Sequence, residues 1–367
     1  MELTELSRAL GQLEQAQCLE DIFGSAPDEE QVKKRYRVLA MSLHPDGYAR
    51  ADREVQRQAE EGFKLLADAY EKALSAIETG LYGKRAPLSG SHAAAVLFTV
   101  ESGGAVYTAE TLLAEGEVSN VYVGYRRDPD GGKSPVCFKL SFGESPAEIR
   151  SNNLMLRRES DSLKKLWAVP GNPNLSHLPQ LLAQFQSSDR ALGNILSLCK
   201  GLDCCEIRRN PLYTAGVPAV HLFWILSRCL TTLGYVHGKG LIHGNIEPAH
   251  LVINPVNHNV SLIDWCYSLG DGDAVRAYTE GFSPPEVESR LSPTPSADIY
   301  SLGKTILFLA GDGDGRPRLP EGLEKLLQGM TLESVMQRPR NALELNEYVK
   351  KLRVSLYGDQ GFVPFPV

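Results

Sequence analysis

Residues 31–46 read QVKKRYRVLAMSLHPD and residues 63–74 read FKLLADAYEKAL. In the first stretch Val32, Tyr36, Leu39 and Ala40 recur at three- and four-residue steps, the apolar stripe of a helix. Asp28, in SAPDEE, suits the N-cap, with Glu29 and Glu30 in the first turn where the helix dipole favours negative charge. The helix should end near Ser42, because Pro45 pushes its predecessor out of the helical region and Asp46 favours a turn. The second stretch belongs to a helix expected over about Val55–Ile77, with Phe63, Leu66, Ala67 and Tyr70 on the buried face. Two helices joined by a short turn make a helical hairpin. Upstream, Leu3, Leu6, Leu10 and Leu13 form another helical stripe.

Downstream the character changes. Residues 82–93, YGKRAPLSGSHA, are rich in Gly, Pro and Ser and read as a linker. VLFTVES, AVYTAETLL, SNVYVGYRR and PVCFKL then read as strands, with a turn at DPDGG. From Pro218 helical patterns dominate, interrupted by short strands at HLVINP and VSLIDW. Strands first and helices later predict a two-lobed α+β unit. The expected organisation is a helical domain over 1–80, a linker over 81–94, the α+β unit over 95–355 and a tail over 356–367.

Composition narrows the function. The 367 residues are 43% hydrophobic and 23% charged, ordinary for a globular chain. Thirty-eight basic residues against 45 acidic leave a net charge of −7, which disfavours general binding of nucleic acid or anionic membrane. The N-terminal sequence has neither the cationic start nor the apolar core of a secretory signal, so a cytoplasmic location is expected. Seven cysteines without CxxC spacing read as free thiols in a reducing compartment, including the clustered Cys199, Cys204 and Cys205.

The helical region resembles the J domain of the DnaJ family over about 60 residues. The resemblance rests on CLEDIFG, the basic second helix, the His44-Pro45-Asp46 loop and AYEKAL. It implies docking on a DnaK-type chaperone and stimulation of that partner's ATPase. His44, Pro45 and Asp46 would form the trigger loop. Of the basic residues Lys33, Lys34, Arg35 and Arg37, the pair Lys34 and Arg37 shares a helix face and should contribute most to the electrostatic approach.

The second region resembles a protein kinase. Lys139 ends VCFK like the strand lysine, and Glu159 sits where its helix partner would be. His243 opens HGNIEPAHLVIN like the catalytic loop, and Asp264-Trp265-Cys266 stands in the DFG place. Pro284-Pro285-Glu286 matches APE, Asp298 begins DIYSLG, and Arg338 matches the arginine that pairs with the APE glutamate. Leu163, Trp265 and His243 would stack as an internal spine, and Asp298 would bond the catalytic-loop backbone.

The catalytic chemistry is altered. Against HRDxKxxN, this chain has Gly244, Asn245, Glu247 and His250. An amide at Asn245 cannot accept a hydroxyl proton as a carboxylate does. Glu247 puts negative charge where a lysine would meet the transferring phosphate, an interaction of about 3 kcal/mol per charge pair at roughly 5 Å. His250 offers nitrogen where magnesium prefers oxygen. Gly244 removes the guanidinium that would read an activation-loop phosphate. The phosphate-covering loop keeps only Gly116 of its glycines, with Ala114 and Ser119 at the other two positions. Lys139, Glu159 and Asp264 are nevertheless all present, a set able to hold ATP phosphates and one magnesium ion at Asp264. The same three residues also serve a purely structural reading, in which Lys139 and Glu159 fix the helix and Asp264 caps a turn. The resulting expectation is a co-chaperone whose pseudokinase domain recruits a protein client or senses nucleotide. The alternatives are an active atypical serine/threonine kinase or kinase-like transferase using ATP, and a scaffold with an empty cleft.

Overall fold

The computed structural model describes residues 6, 9–13, 16, 18–24, 29–48, 51, 53–79, 82, 96–129, 131–270, 273–311, 316–358 and 361–366. Leu3 of the upstream stripe, the N-cap expected at Asp28 and the expected linker apart from Tyr82 lie outside these residues. The chain divides into two compact units, residues 1–93 and 94–366.

The first unit is helical. Helix α1 spans Leu19–Phe23, α2 Glu29–Leu43 and α3 Arg53–Thr79. Helix α2 buries Val32, Leu39 and Leu43, while Tyr36 stacks on Tyr70 of α3 with ring centroids 4.2 Å apart. On α3 the buried stripe is Ala59, Leu66, Ala69 and Ala73, spaced seven, three and four residues apart along one face. Ala67, expected inward, lies at the edge of that face and is half-buried. Leu6, Ala9 and Leu13 close the same core, and so does Tyr82. The Tyr82 hydroxyl lies 3.2 Å from the Leu19 carbonyl oxygen and 3.0 Å from that of Gly24, so this residue of the expected linker is anchored in the helical unit.

The second unit opens with an antiparallel sheet. Its strands are β1 (Phe98–Ser102), β2 (Ala105–Glu115), β3 (Ser119–Arg127), β4 (Lys133–Ser141), β5 (Leu181–Gln186) and β6 (Leu192–Ser197), in the order β1-β2-β3-β4-β6-β5. Helix α4 (Pro146–Leu166) packs on this sheet and starts where the Ser145 hydroxyl accepts the Glu148 N–H at 3.2 Å. Then follow β7 (Leu202–Asp203), α5 (Cys204–Arg209), α6 (Ala219–Gly238), β8 (Leu241–Ile242), β9 (Leu251–Asn254), β10 (Asn259–Leu262) and β11 (Leu269–Gly270). Helices α7 (Pro285–Glu288), α8 (Pro295–Ala310), α9 (Glu321–Met330) and α10 (Ala342–Tyr357) complete the unit. Strand-rich and helix-rich lobes thus follow one another along the chain.

Helix α6 is long and apolar enough to cross a bilayer, with a mean hydropathy of 1.3. Here it is the central helix of the second lobe, and Leu222, Phe223, Ile225, Leu226, Leu230 and Leu233 are fully enclosed by protein. All seven cysteines are free thiols, and Cys204 is fully buried with its sulfur 3.6 Å from the Leu251 carbonyl oxygen.

Candidate functional site

Two sets of residues carry chemistry, one in each unit. In the helical unit, α2 ends at Leu43 and a short 3-10 turn covers Pro45–Tyr48. Buried Tyr48 braces this turn through its hydroxyl, which donates to the Ser42 carbonyl at 2.8 Å. His44 is exposed, with its ring edge-on to Phe63 at 5.2 Å. Lys33 is paired with Glu29, and Arg35 reaches back to the Ile22 carbonyl at 3.3 Å. Lys34 and Arg37 project into solvent one turn apart. His44 and the two free-standing cations are therefore displayed by the same hairpin.

In the second unit, β4 and α4 bring Lys139 and Glu159 together at 3.0 Å, Nζ to Oε1, both side chains almost wholly buried. Asp264 joins them, its Oδ1 2.9 Å from the same ammonium. The Cys266 sulfur lies 3.1 Å from Lys139 Nζ and was not anticipated from the sequence. Glu159, Asp264 and Cys266 present donor atoms close enough together to hold a metal ion, and the cation among them is the lysine itself. Burial alone would lower the Lys139 pKa, but the negative field of Asp264 and Glu159 outweighs it and raises the value well above the ordinary one. For Asp264, burial pulls upward, but the Lys139 charge and then His250 bring it well below the usual carboxylate range. Burial raises the Cys266 thiol well above its usual range.

Glu159 is fully engaged. Its Oε2 accepts from Asn194 Nδ2 at 2.9 Å, and its Oε1 also accepts the Trp265 N–H at 3.3 Å. Asn194 lies on β6 directly opposite Lys139 in the sheet register, which is why one lysine and one amide can share the same carboxylate. The Ser162 and Ser268 hydroxyls, 2.8 Å apart, add a second buried link between α4 and the Asp264 segment.

The catalytic-loop positions are equally ordered. Asp298 Oδ2 accepts the His243 N–H at 2.8 Å and Oδ1 accepts that of Gly244 at 2.9 Å. His237 Nε2 is 2.9 Å from the same carboxylate. The His243 ring meets that of Trp265 edge-on at 4.4 Å, and Leu163 is buried with them. Gly244 has φ +74°, and a Cβ there would fall 2.6 Å from the Tyr267 carbonyl oxygen. The position therefore rejects any side chain, a constraint beyond the lost guanidinium. Asn245 Oδ1 accepts the Thr279 hydroxyl at 2.8 Å. His250 Nδ1 lies 2.9 Å from the Asn245 carbonyl oxygen and 3.3 Å from Glu247 Oε1. Its Nε2 lies 3.4 Å from Asp264 Oδ2. Gly116 occupies the tight turn between β2 and β3, with its N–H on the Ser119 carbonyl at 3.2 Å. The next residue, Glu117, reaches the Tyr267 hydroxyl at 3.4 Å.

These contacts decide what the cleft can hold. Lys139 is shared among three partners, and the second oxygen of Asp264 faces an imidazole. Burial raises the Glu247 pKa, partly offset by His250 and reinforced by Asp264 and Glu117, so acidic groups crowd the place where phosphates would lie. An ATP molecule with its paired magnesium ions needs oxygen donors and positive charge there. Asp264 offers an oxygen ligand, but in this arrangement it and Lys139 hold one another, so a nucleotide with its metal would have to displace that contact.

The lower lobe keeps its brace. Arg338 and Glu286 form a buried ion pair at 2.5 Å, and Arg338 also donates to the Ser296 carbonyl at 3.2 Å.

The two units define a helical hairpin with a histidine-proline-aspartate loop and a bilobal protein-kinase fold. The comparisons agree unit by unit. Residues 24–78 match the DnaJ domain family. The second unit resembles serine/threonine-protein kinase D of Synechocystis, 33% identical over 180 residues that cover 44% of this chain and 33% of that one. Serine/threonine-protein kinase B of the same organism is 27% identical over 194 residues, covering 48% and 32%. The chain thus spans about a third of the length of these relatives. Among solved structures, the M. tuberculosis PknI kinase domain matches with a TM-score of 0.50 at 20% identity, covering 68% of this chain and 96% of that one. At that identity the match establishes the fold alone.

Asn194 and Thr279 are the site residues that sequence reasoning missed, along with the contact of Cys266 to Lys139. A polar Asn194 within the apolar strand LGNILS was the one available signal, since a buried amide needs partners.

Proposed function

We propose that this protein is a J-domain co-chaperone that engages a DnaK-type chaperone, with its kinase-like unit acting as a pseudokinase module that recruits a protein client. The observation that carries this reading is the contrast between the two sites. His44 is exposed at the start of a braced turn, on the same hairpin as free Lys34 and Arg37. The kinase-like cleft instead spends its charges on one another. The DnaJ domain supplies the first half of the reading, since an Hsp70-type partner is what that domain implies. The net charge supports a protein partner over nucleic acid or a membrane surface, and the free thiols support a cytoplasmic setting.

A second reading, an atypical kinase or ATP-using transferase, is favoured by one observation, the assembled Lys139–Glu159–Asp264 set. Against it stand the amide at Asn245 and the acid at Glu247. Nucleotide sensing without transfer lies between the two readings and would need Asp264 released from Lys139.

The test is stimulation of a DnaK-type ATPase by the full chain and by His44→Gln. We expect acceleration by the wild type and none by the variant at equal folded content. Full stimulation by His44→Gln would remove the co-chaperone assignment.

A further inference from the structure

The kinase-like unit carries a second binding feature, built from side chains other than those of the cleft. Helix α10 ends at Tyr357, and residues 361–366, GFVPFP, lie across an aromatic pocket. Its walls are Tyr213, His221 and Trp224 from around the start of α6 and His258 from the turn between β9 and β10. Phe365 is 4% exposed; it stacks on Tyr213 at 5.1 Å and packs against His221 at 4.7 Å and edge-on to Trp224 at 5.7 Å. Phe362 stacks on His258 at 4.0 Å, and the other face of that imidazole stacks on Trp224, also at 4.0 Å and nearly parallel. The walls are preset. Trp224 Nε1 donates to His221 Nδ1 at 3.2 Å, and His258 holds its ring from a left-handed backbone at φ +54°.

The hold on residues 361–366 is of a peptide kind. Phe362 is 61% exposed, and Gly361, Pro364 and Pro366 face solvent. Among the described residues, no backbone–backbone hydrogen bond ties this segment to the rest of the unit. One buried ring, one stacked ring and a hydrogen bond between the His258 ring and the Val363 backbone do the work. Pro364 and Pro366 bias the segment toward an extended backbone, which lowers the entropy lost on docking. Aromatic walls with an aromatic anchor in a pocket are the usual make-up of a protein-recognition hot spot.

We infer that this pocket recognises an extended, proline-containing peptide with two aromatic side chains three residues apart, and that residues 361–366 occupy it as a built-in competitor. This deepens the client-recruitment reading and rests on it: the client would present such a segment, as an unfolded chain with exposed aromatic residues does.

The probe is a fluorescein-labelled peptide, GFVPFP, titrated into the full chain and followed by anisotropy. Phe362→Ala with Phe365→Ala disables the resident segment. This variant should bind the peptide at least about tenfold more tightly than the wild type, because a tethered competitor acts at roughly millimolar effective concentration. A peptide with both phenylalanines replaced by alanine should not bind. No binding by a double variant with wild-type circular dichroism, or equal affinity in variant and wild type, would overturn the inference. Should the double variant not fold, Phe362→Ala alone carries the test, since that ring is mostly exposed. It should raise peptide affinity by about threefold as the competitor loosens, and an unchanged affinity would overturn the inference. The ATPase assay with His44→Gln fails or succeeds independently of this readout, so the two ideas can fall separately.

Discussion

The Lys139 ammonium lies 2.9 Å from the Asp264 carboxylate while also holding Glu159 at 3.0 Å. One cation thus neutralises two acids, and one of them, Asp264, is the residue that would hold a nucleotide's metal ion. A phosphate entering the cleft would have to replace at least one of these contacts.

Lys139→Ala would leave Glu159 buried without its cation. Loss of one partner of a buried pair costs about 3–5 kcal/mol, and that is the expected loss here. All three tryptophans, Trp167, Trp224 and Trp265, lie in the second unit, so urea unfolding followed by tryptophan fluorescence reads that unit alone. A variant as stable as the wild type would mean that the triad carries no structural load. Because of this cost, Asp264→Asn is the better control for nucleotide binding.

Phosphoryl transfer is the point on which the pseudokinase proposal is most exposed. The wild type should label neither itself nor a generic protein substrate with γ-phosphate, and Asn245→Asp alone should not restore transfer while Glu247 remains. Transfer by the wild type that disappears in Asp264→Asn would favour the atypical-kinase reading.

The Arg338–Glu286 pair braces the lower lobe, with the arginine side chain fully buried. Arg338→Leu should destabilise the second unit by about 3–5 kcal/mol, and adding Glu286→Gln should recover part of that loss. Strict additivity of the two changes would show that they do not interact.

The buried His243 imidazole accepts the Asn245 N–H at Nδ1 and meets the Ile263 carbonyl through Nε2, so the fold needs it neutral. Burial, only partly opposed by Asp298, pulls its pKa from 6.5 to about 4. The unfolded chain therefore takes up this proton first. Its stabilising effect is complete above about pH 6.5 and is lost as pH falls toward 4, by roughly 3 kcal/mol over the window. Asp264, lowered by Lys139 against the effect of burial, adds to the loss only at still lower pH. Urea midpoints that stay flat between pH 7 and 4.5 would contradict this account.

Charge reversal at Lys34 and Arg37 should slow association with the chaperone about tenfold at low salt, with the gap closing as ionic strength rises. The check is association kinetics at two salt concentrations. A defect that is the same at both would point to a contact other than long-range attraction.

Much of this was legible in the sequence. Period and punctuation placed α2 and α3 within a few residues. The pairings of Lys139 with Glu159, of Glu286 with Arg338, and of Asp298 with the loop backbone followed from motif order. What stayed hidden arises from three-dimensional register. Asn194 meets Glu159 because β6 lies beside β4, a pairing with a crossover that no local pattern encodes. Cys266 looked like a buried thiol and turns out to neighbour the key lysine. Ala67 and Ala69 sit two positions apart on a helix, and neither composition nor spacing says which is nearer the centre of the face. Phe362 and Phe365 read as a tail because their partners, Tyr213 to His258, lie more than a hundred residues earlier.

Gly244 ties the shape of the loop to the segment behind Asp264. Its left-handed backbone leaves a side-chain carbon 2.6 Å from the Tyr267 carbonyl oxygen, so an arginine restored there meets the segment behind Asp264 before it can meet any phosphate. Regaining a phosphate-reading loop would require the Tyr267 segment to move first, and that segment is tied to α4 through Ser268 and to the β2–β3 turn through Glu117. A substitution at residue 244 alone would leave those two ties in place, so the glycine acts as a latch that holds the loop in its present shape.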